Sequence, residues 1–228
     1  MSGDVGTEEV RPAFYALREG GWRDYVTLLH PPYTLWNLSY VAVGAALAPH
    51  FHLNRMLWAL ASFFLALGVS AHFLDELKGR PLRTHIPSFV LVAVSVVSLA
   101  GACAIGVAAA WAWGWWLLVF VVAGAIFVPA YNLELALHTD WGLAFTWGAF
   151  PVLTGYFVEA QTLRIEAIAA AAYAFALTLT QRTLSTPVRH ARRKQGTTEG
   201  TEPLERALRL LTWGSVVLAV ALVAARLR

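Results

Sequence analysis

Seven stretches of this chain, near 33–49, 56–75, 87–109, 114–132, 141–159, 165–185 and 204–225, are apolar for long enough to cross a bilayer as helices. About 20 apolar residues at 1.5 Å each span roughly 30 Å of hydrocarbon, and lipid leaves no partner for an open backbone. A segment of that kind is driven to close its own hydrogen bonds as a helix. Uninterrupted apolar runs also exclude a barrel of alternating strands. With 58% hydrophobic residues, 14% charged residues and a mean hydropathy of +0.57, the 228-residue chain reads as an integral membrane protein. The expected fold is all-α, a polytopic bundle of about seven transmembrane helices. The third and fourth windows are divided only by Trp111 to Trp116, so that boundary is the least defined.

Two units are expected, a polar tail over residues 1–32 and a membrane domain over 33–228. The tail lacks the basic-then-apolar order of a signal peptide and is read as cytoplasmic. Its stretch from Val10 to Leu29 suits either a helix on the membrane surface or a partly ordered solvated segment. A seven-span topology puts 13 of the 17 Lys and Arg residues on the side of the N-terminus, leaving Arg55, Arg164, Arg226 and Arg228 on the other. Basic residues are retained inside, so the N-terminus is expected in the cytoplasm, with a bacterial or archaeal cell membrane as the setting. The net charge of +3 follows from that topology and gives no case for a nucleic-acid partner. The lone Cys103 excludes an intramolecular disulfide and suits a packing role. Residues from Arg189 to Thr201 read as a mobile polar loop, after which Thr201, Pro203, Glu202 and Glu205 suit the start of a last helix.

Ionisable groups collect where three connections, 76–86, 132–140 and 182–203, meet on one face. The second window closes on His72, Asp75 and Glu76, and the fourth on Tyr131, Asn132, Glu134 and His138. Residues three and four apart share a helix face, so His72 can stand beside Asp75 and Glu76, and Glu134 beside His138. Two imidazoles and three carboxylates make a candidate metal set, and Lys78, Arg80 and Arg83 offer the plainer alternative of interfacial salt bridges.

The order of motifs resembles the UbiA-type intramembrane prenyltransferases over about residues 30–225. The resemblance rests on Asn37, the acidic close of the second window followed by Arg80-Pro81 and Ile86-Pro87, the stretches Tyr131-Asn132-Leu133-Glu134 and Trp147 through Tyr156, and the run Arg182-Thr183-Leu184-Ser185-Thr186-Pro187-Val188-Arg189. It implies a helical bundle around a cavity open to lipid, with a prenyl diphosphate held at a cytoplasmic mouth through Mg²⁺. The family's first motif is Asn-Asp-x-x-Asp-x-x-x-Asp, and the positions here are Ala71, His72, Asp75 and Gly79, with Glu76 off the pattern. Thr180-Gln181-Arg182 occupies the region of the second aspartate-rich motif, and seven spans stand where the family usually has nine.

The resemblance implies Asp75, Glu76 and Tyr131 as catalytic, and Asn37, Arg80, Arg83, Asn132, Arg182 and Arg189 as substrate-binding. His72, Asp75, Glu76, Glu134 and His138 form the expected metal set, for Mg²⁺ or alternatively a transition metal. The expected partners are membrane lipid or an isoprenoid, with a homo-oligomer or a larger membrane complex as further associations. Three functions stand open, a prenyltransferase-like enzyme, a His/carboxylate metal enzyme, and a non-catalytic lipid-binding or accessory subunit. A channel is disfavoured because no window carries a charge at its middle, and a retinal photoreceptor because residues 204–228 contain no lysine.

Overall fold

The computed structural model describes residues 10–228, and Asp4, Glu8 and Glu9 of the expected tail lie outside the described residues. The described chain is helical and contains no strand. A short helix α1 (Trp22–Leu28) precedes seven long rods. These are α2 (Pro31–Leu47), α3 (Leu53–Leu77), α4 (Ser88–Trp113), α5 (Leu117–Asn132), α6 (140–160), α7 (165–195) and α8 (Glu202–Arg226). Each apolar window falls on one rod. Three rods, α3, α4 and α8, are long and apolar enough to cross a membrane by length and composition. Around the bundle, Val92, Val96, Val97, Val107, Val119, Val122, Ile126, Ile168, Val217 and Val220 are exposed, an apolar perimeter suited to lipid.

Local chemistry sets the rod ends. Pro31 and Pro32 open α2 in the first turn, where a missing N–H costs nothing. Gly114 divides α4 from α5 with φ 147°, and a Cβ there would overlap the Gln161 carboxamide, so the Trp-rich boundary is a true break. The rods run up and down, bringing the starts of α2, α4, α6 and α8 to the same end of the bundle as the close of α3, α5 and α7.

At the other end, His52 meets Glu159 at 3.0 Å, and Arg226 donates to the carbonyls of Ala48 and Pro49, each at 2.9 Å. Inside, Ser70 and Ser95 bond across α3 and α4 at 2.9 Å, which satisfies hydroxyls that lipid cannot.

Three rods carry π-helical stretches, Phe64–Ala71 within α3, Ala144–Ala149 within α6 and Ala191–Gln195 closing α7. The last corrects the expected loop at Arg189–Thr201. The helix continues to Gln195 because Arg192 reaches Glu205 on α8 at 2.6 and 3.0 Å, and Gly196 then terminates it in the left-handed region. Thr201 also differs from expectation, since its hydroxyl donates to Thr198 O at 2.8 Å and provides no side-chain cap.

The described tail residues are partly packed on the bundle and partly exposed, Trp22, Tyr25 and Val26 among the exposed ones. Only Trp22–Leu28 is helical, while Ala13, Ala16 and Leu28 are buried with Phe73, Leu82 and Leu91. Asp24 fastens this segment by accepting from Gly20 N at 2.7 Å and His85 N at 2.8 Å.

The closest helix crossing joins α2 and α6 without side chains in between. A Cβ on Gly44 would overlap the Val152 carbonyl oxygen, and one on Gly155 would overlap that of Val41. Gly44→Val or Gly155→Val must therefore separate the two rods, with an expected loss of about 3 kcal/mol or more. Gly101→Ala, whose Cβ would first meet Leu65 at 3.4 Å, should change little. Thermal unfolding of the purified variants in detergent checks the contrast.

Candidate functional site

The rod ends enclose a polar chamber of ≈ 1470 Å³, including its open mouth. Helix α2 contributes Tyr33, Trp36 and Asn37, α3 contributes His72 and Asp75, and α5 contributes Tyr131 and Asn132. Helix α7 presents Thr178, Gln181, Arg182, Ser185, Val188, Arg189 and Arg193 to it, a stripe at three- and four-residue spacing. Pro12 to Tyr15 cover another side. All three π-helical stretches adjoin this chamber, through His72, Trp147 and Arg193, and such irregularities are frequent at functional sites.

Nine of the expected site residues line this one space, namely Asn37, His72, Asp75, Tyr131, Asn132, Glu134, His138, Arg182 and Arg189. Glu76, Arg80 and Arg83 do not. The Glu76 carboxylate is fully buried and turned into the α3–α4 connection, where it accepts from Leu82 N at 3.0 Å, Thr84 N at 2.9 Å and the Thr84 hydroxyl at 2.8 Å. That bonding folds the connection around one side chain. It holds Arg80 and Arg83 at φ 52° and 57°, a conformation few non-glycine residues adopt. Arg80 spends its guanidinium on the Thr84 and Ile86 carbonyls and the Ser88 hydroxyl.

The expected Glu134–His138 helical pair is absent as well. Helix α5 ends at Asn132, whose amide turns back to Val128 O at 2.7 Å, and Glu134 lies on an exposed turn with φ 58°. His138 instead bonds Tyr131 O at 3.0 Å and packs on the Tyr131 ring.

Asp75 is sunk in the chamber wall with no hydrogen bond or ion pair to its carboxylate among the described residues. Beside it, His72 bonds Gly68 O through Nδ1 at 3.1 Å and stacks on His30 with ring centroids 4.1 Å apart. His30 bonds the Tyr15 hydroxyl through Nδ1 at 2.7 Å, while its buried Nε2 has no partner. Burial, and then the neighbouring His72, hold the His30 imidazole well below its ordinary pKa.

No group of three or more His, Cys, Asp or Glu side chains among the described residues is arranged to hold a metal ion. Glu76 faces away, His72 and His138 spend Nδ1 on backbone carbonyls, and Glu134 sits on an exposed turn. Asp75 and Glu134 are the only carboxylates among the described lining residues. The five expected ligands thus do not fit a resident metal. Arginine dominates the site's charge.

Adjoining the chamber at Trp147 is a second cavity, ≈ 790 Å³ with its open side included, between α3, α4, α5 and α6, lined by Phe63, Leu67, Trp113, Phe120, Phe127 and Phe150 among others. Cys103 borders it. Tyr131 packs at a tilt against Trp147, ring centroids 4.7 Å apart, and Trp147 lines both spaces.

Composition along the chain did not point to Tyr15, His30, Tyr33 or Arg193 as lining residues. Their signals were the dense run of ring residues around His30-Pro31-Pro32-Tyr33 and the continuation of the Arg182–Arg189 spacing to 193. No family model, no curated protein and no solved structure matches the chain.

Glu76→Ala strands two buried backbone N–H groups and a hydroxyl, and is expected to cost on the order of 3 kcal/mol. Asp75→Asn removes a carboxylate that has no hydrogen bond or close ion pair among the described residues and should leave unfolding in detergent nearly unchanged. For pH, His30 binds its proton more weakly folded than unfolded, so its contribution is complete above about pH 6.5 and is lost as pH falls below it. Thermal stability should drop between pH 7 and 5, and His30→Gln should flatten that slope.

Proposed function

We propose that this chain is a divergent UbiA-like membrane protein whose rods α2 to α8 each span the bilayer, with the chamber facing the cytoplasm. Its ligand is an isoprenoid or similar lipid-soluble amphiphile. The observation that carries this reading is the junction at Trp147, where an arginine-bearing polar chamber adjoins an aromatic, predominantly apolar cavity. A molecule with a polar head and a long apolar tail fills both spaces. Binding sites of this kind are mostly apolar with a few convergent polar groups.

On the enzymatic form of this reading, Asp75 and Tyr131 meet the reacting end of the amphiphile. Asn37, Asn132 and Gln181 orient the head, and Arg182 and Arg189 neutralise charge on a leaving group. Glu76, Arg80 and Arg83 belong to the framework that holds Asp75 in position.

The second reading is a lipid-binding or accessory subunit without catalysis. It is favoured by the shortage of groups able to share a metal, since Asp75 and Glu134 are the only carboxylates among the described lining residues and Glu134 sits on an exposed turn.

Labelling with a diazirine-bearing isoprenoid tests both. Cross-links are expected at Trp113, Phe120, Phe127 or Phe150 and should be competed by unlabelled isoprenoid. Labelling confined to the outward-facing Val92, Val96 and Val122 would sink the proposal. Transfer to an acceptor that is lost in Asp75→Asn identifies the enzyme, whereas specific labelling with no turnover identifies the accessory protein.

A further inference from the structure

Arginines at this end of the bundle differ in whether they meet an acid. Arg192 holds Glu205 through two bonds at 2.6 and 3.0 Å, and Arg182 holds Asp140 at 2.8 Å. Arg189 and Arg193 are different. Both line the chamber, yet Arg189 donates only to the Thr186 hydroxyl at 3.3 Å and Arg193 to the Pro12 carbonyl at 3.4 Å. Neither has a carboxylate within ion-pair distance among the described residues, although the Asp75 carboxylate of the same chamber attracts both from further away. Arg182 and Arg193 both act on Arg189 as like charges.

Like charges gathered in a partly buried space repel more strongly than in water. An anion between them turns that repulsion into attraction. Guanidinium forks match phosphate oxygens in pairs, so two such groups supply charge and geometry without a bridging cation. Further donors line the same wall. Tyr33 and Gln181 face the chamber, and His30, bonded through Nδ1 to the Tyr15 hydroxyl, lies in the same wall.

We propose that the chamber binds the phosphate of a long-chain apolar phosphate ester directly through Arg189 and Arg193, with no divalent cation between them. This rests on the amphiphile reading above, with the ester's hydrocarbon in the cavity beyond Trp147.

The test measures binding of farnesyl phosphate and of farnesol to the purified full chain in detergent, in EDTA and in Mg²⁺. Farnesyl phosphate should bind equally well in both buffers, at least tenfold tighter than farnesol, and more weakly as salt rises. The double variant Arg189→Gln/Arg193→Gln should weaken it tenfold or more. Arg189→Lys, which keeps the charge and loses the fork, should weaken it several-fold and guards against misfolding of the double variant. Binding that appears only with Mg²⁺, or that survives the double variant, overturns the proposal. Equal binding of farnesol and farnesyl phosphate overturns it too, while leaving the amphiphile reading intact. If neither probe binds the folded protein, the amphiphile reading itself fails.

Discussion

Glu76, buried with its carboxylate turned away from the chamber, is the interaction on which the mouth of this bundle depends. A charge in that position is costly unless donors surround it, and the α3–α4 connection supplies three of them. The connection folds back to do so, which sets where α4 begins and which way the last turn of α3 faces. Asp75 then looks into the chamber because its neighbour looks out. Two adjacent carboxylates thus have different lives, one as the framework's anchor and the other without a partner in a polar cavity.

Much of the architecture was legible in the sequence. Seven apolar windows fall on seven rods because a long apolar run closes its backbone hydrogen bonds within itself, and the gathering of polar residues at one end follows from up-and-down connectivity. Side-chain direction was less legible. Asp75 and Glu76 are indistinguishable by composition, and only the tertiary placement of Leu82 and Thr84 separates them. Glu134 and His138 have helical spacing but no helix, since α5 closes at Asn132. Arg192 and Arg193 look like loop residues until Glu205 on another rod, and the Pro12 carbonyl, extend the helix through them.

The N-terminal segment shows how polar and apolar forces share a boundary. Phe14 packs against Tyr33 and under Arg209, while the carbonyls of Arg11 and Pro12 take bonds from Arg192 and Arg193. One arginine of that pair faces Glu205 and the other the chamber. The strap is therefore joined both to the structural and to the ligand-facing side of the same π-helical turn.

Those π-helical turns make the chamber a matter of angular phase. An α-helix advances about 100° per residue, and an i→i+5 stretch takes in an extra residue per turn before the regular ladder resumes. Downstream of Phe64–Ala71, the direction of His72 and Asp75 is set by that surplus, and Arg193 lies within the last such turn. Loss of a single residue inside one of these stretches lets the regular ladder close and leaves the turns beyond it nearly in phase, whereas a loss in the regular turns on either side rotates everything beyond it by about 100°. The wall of the chamber is thus guarded by the number of residues in the regular turns, and the π-helical turns hold the surplus.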